Sequence, residues 1–137
     1  MFELVEDIVE DINKFLIKTR DLKKYSYTGY FIEDNDVFFV FDPSVFKIKS
    51  NEIKRVRVTG DFNNWSLIKS KNLNDKDKDG IWILNIPLKD IDNNDKFCFV
   101  INSDWWTSPS PDLGFDNKNI ASDENDKGQY YFLFLKE

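Results

Sequence analysis

Two stretches of the chain put tryptophan where burial is awkward, behind polar turn formers. One is Gly60-Asp61-Phe62-Asn63-Asn64-Trp65; the other is Asn102-Ser103-Asp104-Trp105-Trp106. An indole held on a rigid turn suits the apolar face of a pyranose ring, because its electron-rich face attracts polarised C–H bonds. Polar neighbours can then take the sugar hydroxyls. In the first stretch Gly60 allows a sharp bend without a Cβ penalty. Asp61, Asn63 and Asn64 can satisfy turn amides with their own side chains. Phe62 can dip inward while Trp65 points away, so Trp65 is either a platform for a ligand or a lid over the core edge. If residues 105–106 are extended, Trp105 and Trp106 point to opposite faces, one toward the core and one exposed. The alternative is that both cover one end of the fold.

Other chemistries find little support. The chain has no histidine and a single cysteine, Cys98. That removes Ser-His-Asp and Cys-His nucleophiles, an internal disulfide and a structural zinc site. Cys98 lies in an apolar run and reads as a small core residue. Asp75, Asp77, Asp79 and Gly80 spell the first half of a calcium loop, but Ile86 stands where the bidentate glutamate belongs. That run reads as a solvated hairpin turn, as does 123–128. With 25 acidic against 19 basic residues the net charge is −6, which disfavours a phosphate-binding surface and hence nucleic acid. No carboxylate pair stands out, so no enzymatic activity, metal or cofactor is expected. No window approaches the roughly 18 apolar residues of a membrane span. The N-terminal M-F-E-L-V-E-D lacks the basic and apolar regions of a secretory signal. A soluble, cytoplasmic protein away from membranes is expected.

These residues need elements to position them. A chain of 137 residues fits one domain with a core that needs no staples, and 13 Phe, 5 Tyr and 4 Trp favour sheet. The exception is residues 1–24. There Phe2, Val5, Ile8, Val9, Ile12, Phe15 and Leu16 recur at helical steps, with acidic residues early and basic ones late. The pattern predicts an amphipathic helix docked on this protein's own sheet or on a partner. Residues 25–137 read as strands. Tyr25–Glu33 and Val37–Phe41 suggest a hairpin across D-N-D. Ile53–Thr59 alternates, with Val56 and Val58 toward the core and Ile53, Arg55, Arg57 and Thr59 on the other side. Ile81–Leu88 is apolar enough for a strand with little exposure, and Phe97–Ile101 is another. A polar loop over Thr107–Gly128 precedes a last strand, Gln129–Leu135. Short strands separated by turns point to an all-β sandwich preceded by a helix.

V-R-V-T-G-D-F-N-N-W-S, followed by a leucine-containing loop (67–73), D-G-I-W-I-L-N-I-P-L, F-C-F-V-I-N-S-D-W-W and S-P-S-P, resembles the family-48 carbohydrate-binding modules. That family includes the glycogen-binding domain of the β-subunit of AMP-activated protein kinase and the N-terminal domains of branching and debranching enzymes. The likeness runs from Val37 to Leu135. It implies an immunoglobulin-like early-set β-sandwich and a non-catalytic module for α-glucans such as glycogen or starch. Trp65 and Trp105 would stack on the sugar, or Trp106 if the alignment slips by one, with Asn64, Lys96 and Gln129 as hydroxyl partners. A glycogen-metabolising enzyme or a second copy of the chain would be the protein partner. Two departures bear on binding. Cys98 replaces a lysine that contacts sugar hydroxyls, which Lys96 could replace only by a slip of register. Gln129-Tyr130 replaces a late Asn-Asn pair, where Tyr130 could stack. Each lost hydrogen bond costs about 0.5–1.5 kcal/mol, so the competing expectation is a protein-interaction or dimerisation module that has lost sugar binding.

Overall fold

A computed structural model of the protein describes residues 22–76, 78–122 and 128–136. The helix expected over residues 1–24 lies outside these except for its end, where Leu22–Tyr25 forms a four-residue helix, α1. Eight strands follow among the described residues: β1 (Tyr30–Glu33), β2 (Asp36–Phe41), β3 (Val56–Gly60), β4 (Trp82–Pro87), β5 (Lys96–Ile101), β6 (Trp105–Trp106), β7 (Ile120–Ser122) and β8 (Tyr130–Leu133). They form two antiparallel sheets. One has the order β1-β2-β4; the other runs β3-β5-β8-β7, with β6 also paired to β5. With β1, β2 and β4 as strands A, B and E, and β3, β5 and β8 as C, F and G, the strands divide as in an immunoglobulin sandwich.

Strict alternation builds the core. Phe39 and Phe41 of β2, Phe97 and Phe99 of β5, and Phe132 of β8 with Phe134 just beyond it are all fully buried between the sheets. Rings meet across the gap at Phe39–Phe97, 5.1 Å, and Phe41–Phe99, 5.2 Å, while Phe97 stacks on its neighbour in the same sheet, Phe132, at 5.3 Å. Truncating any one to alanine costs about 3–5 kcal/mol in a typical core. Tyr30 joins the sheets at the chain's end, where its hydroxyl donates to Leu135 O at 2.8 Å and accepts from Leu135 N at 3.0 Å.

Several local expectations need correction. Tyr25–Gly29 is not strand; it ends α1 and turns, with Gly29 N donating to Tyr25 O. Ile53 precedes β3, so the strand's alternation does not reach it, and it packs in the core beside Val56 and Val58. β4 is an edge strand on which Ile86 alone is buried, because β4 ends the three-stranded sheet. The span 107–128 is not all loop: it contains β7, which lengthens the second sheet.

Candidate functional site

The Gly60–Trp65 corner leaves the end of β3 through a short 3-10 turn, Asp61–Asn63. Gly60 is extended, with φ 179°. What it supplies is therefore not a sharp bend but close approach, since a Cβ there would lie 2.3 Å from Lys96 O and 2.7 Å from Phe97 Cβ. The turn closes by two nested bonds, Trp65 N to Gly60 O at 2.8 Å and Asn64 N to Asp61 O at 3.3 Å. Asn64 is the left-handed cap of this Schellman-type end. Asn63 Oδ1 accepts from Gly60 N and Thr59 Oγ1. Asp61 reaches further than a turn amide: Oδ2 accepts from Lys96 N on β5 and Oδ1 from the Trp65 indole Nε1 at 2.9 Å. As expected, Phe62 turns inward, stacked on Phe39 at 5.6 Å.

Trp65 itself has φ 59°, a left-handed conformation that costs a bulky residue about 1–2 kcal/mol. Its backbone and indole bonds return about 0.5–1.5 kcal/mol each. Two ring contacts, with Trp106 and Tyr131, add about as much again. The ring lies near-parallel to Trp106, with centroids 6.4 Å apart and planes 29° apart, and edge-on to Tyr131 at 5.0 Å. Trp65 is half-buried, while Trp106 remains 38% exposed. Trp65 thus packs on side chains of β6 and β8, within an aromatic group that reaches solvent through Trp106.

The pairing explains which tryptophan meets it. Phe97, Phe99 and Ile101 of β5 point into the core, so Lys96, Cys98 and Val100 point to the outer face of the sheet. Trp106 pairs with Val100 and shares that outer face, whereas Trp105 pairs with Ile101 and takes the opposite side, 41% exposed. The alternation brings Arg57 and Thr59 of β3 and Tyr131 and Leu133 of β8 to the same outer face. Cys98 lies there too, fully buried beneath these groups rather than in the core between the sheets. Burial pushes its thiol pKa up, so it is no nucleophile near neutrality.

Lys96 needs no slip to reach this face, because residues two apart on a strand share a side; it pairs with Leu133. Asn64 stands exposed beside Trp65. Gln129 Nε2 is committed to Thr107 O and Tyr130 O, both at 3.1 Å. Tyr131, not Tyr130, joins the aromatic group. Alternation in Q-Y-Y-F-L-F-L carries that signal once Phe132 and Phe134 are assigned to the core. Two further residues brace this region, Asp61 through the Trp65 indole and Arg57 through loop carbonyls; alternation puts Arg57 on the outer face but marks neither set of bonds.

Asp75 accepts from Asp79 N and Gly80 N, as a hairpin turn requires. No cluster of metal-ligating side chains occurs among the described residues, and no helix among them is long and apolar enough to cross a membrane. No protein-family model and no curated protein matches the chain.

Proposed function

We propose that the protein is a non-catalytic, early-set α-glucan-binding module of the cytoplasm that takes glycogen- or starch-like chains on the outer face of its five-stranded sheet. The observation that supports it most is the near-parallel Trp65–Trp106 pair, one ring fixed by a hydrogen-bonded corner and the other on a two-residue strand. Two indole faces within 29° of parallel suit successive glucose units of a curved chain. The Trp65 N–H is already used by Asp61, so the ring offers its apolar face. Lys96 and Asn64 stand where hydroxyls would come; Trp105, on the opposite side, contributes less than Trp106. Affinity is about 0.1–1 mM, or roughly −5.5 to −4 kcal/mol. Native electrophoresis in gels containing glycogen tests this: the protein is retarded and its Trp106→Ala variant is not. An unretarded wild-type protein rules the reading out.

One observation favours a second reading, a protein-interaction module. Cys98 occupies the position where the family resemblance expects a sugar-contacting lysine, and it is fully buried. No ammonium can stand there. In that case the exposed Trp105 and Trp106 meet a partner enzyme or a second copy, and sedimentation equilibrium shows a dimer that Trp106→Ala dissociates.

A further inference from the structure

Arg57 is the second residue of β3, on the outer face, and is 7% exposed. A buried cation ordinarily calls for a carboxylate, but none of the described residues supplies one. Its partners are main-chain carbonyls: Nη2 donates to Asn102 O at 3.1 Å and Ser103 O at 3.0 Å, and Nη1 reaches Leu67 O at 3.4 Å. Its Nε is buried with no partner. Burial, with Arg55's charge a lesser cause, lowers the guanidinium's pKa. An apolar residue would avoid that desolvation, so stability alone gives no reason for arginine here. Geometry does. Leu67 follows Trp65 by two residues, and Ser103 precedes Trp105 and Trp106 by two and three. A planar, five-donor fork can hold two such loops at once.

We propose that Arg57 is the positioning residue of the aromatic face: by bridging the Leu67 loop to the 102–103 turn, it sets the separation and tilt of Trp65 and Trp106. The consequence for sugar affinity rests on the α-glucan reading; the consequence for the ring pair does not. The 102–103 turn keeps its other anchors, since Asn102 Oδ1 accepts from Lys54 N and Asn102 Nδ2 donates to Glu52 O. Losing the guanidinium therefore uncouples the loops while leaving the turn in place.

The test is the tryptophan–tryptophan exciton couplet in circular dichroism, taken as the difference between each protein and its Trp106→Phe counterpart. In Arg57→Met the couplet falls by half or more while urea unfolding stays cooperative, and β-cyclodextrin affinity falls about tenfold. An undiminished couplet in a folded Arg57→Met overturns the proposal, as does a wild-type protein without one. Should Arg57→Met fail to fold, Arg57→Lys keeps the charge but reaches only one loop, and a full couplet there overturns it equally. A couplet that depends on Arg57 in a protein that ignores β-cyclodextrin leaves the positioning role standing and rejects the glucan reading.

Discussion

On the outer face of the three-stranded sheet, Phe31 and Phe38 stack with planes 3° apart and centroids at 4.9 Å, beside Val40 and under Leu22. On the outer face of the five-stranded sheet, Trp65 and Trp106 also lie near-parallel, but at 6.4 Å. The first pair is 8% exposed at each ring and held by apolar packing. The second face holds Trp106 at 38% exposure, with an indole tied to Asp61 and loops bridged by a buried arginine. One face uses aromatic area to close a surface. The other fixes one ring by a hydrogen bond beside a second ring that reaches solvent, the arrangement that the proposed binding face needs and a core does not.

The comparison breaks most readily at its largest expected effect. Phe38→Ala removes a nearly buried ring and lowers stability by about 3 kcal/mol, measured by urea unfolding, and leaves retention in glycogen gels unchanged. Trp106→Ala removes a larger but more exposed ring; it lowers stability by only about 1 kcal/mol and abolishes retention. Equal losses of stability from the two variants would make both faces core and erase the distinction.

The inward residues of β3, Val56 and Val58, are legible in the sequence because alternation reports which residues share a face, whereas the unbroken apolar runs of β2 and β5 mark strands without marking which side of each faces the core. The split between Phe62 and Trp65 is legible for a related reason: only one of them can turn inward from a tight corner. Neighbouring strands decide what alternation cannot. Arg57 and Thr59 read as solvent-facing yet are buried, because later loops fold over their sheet. The sequence does not say which of Trp105 and Trp106 shares the outer face with Trp65; pairing with Val100 puts Trp106 there and pairing with Ile101 puts Trp105 on the other side. Tyr25–Gly29 has strand-like residues, but its backbone bonds close a turn instead.

The smallest effect sharpens the account of the corner. Asp61→Ala removes the acceptor of both Trp65 Nε1 and Lys96 N. Because Asp61 is exposed, the cost is about 0.5–1 kcal/mol. The nested backbone bonds keep the turn, while the freed indole weakens binding and broadens tryptophan emission. A loss of 2 kcal/mol or more in thermal unfolding would make the carboxylate a structural staple rather than a brace for the ring.

The most direct measurement is intrinsic tryptophan fluorescence titrated with β-cyclodextrin on the wild-type chain and on Trp106→Ala. The account predicts a saturable change with a Kd of about 0.1–1 mM in the wild type and none in the variant. A flat titration to about 10 mM in the wild type, equivalent to binding weaker than roughly −2.7 kcal/mol, would contradict it.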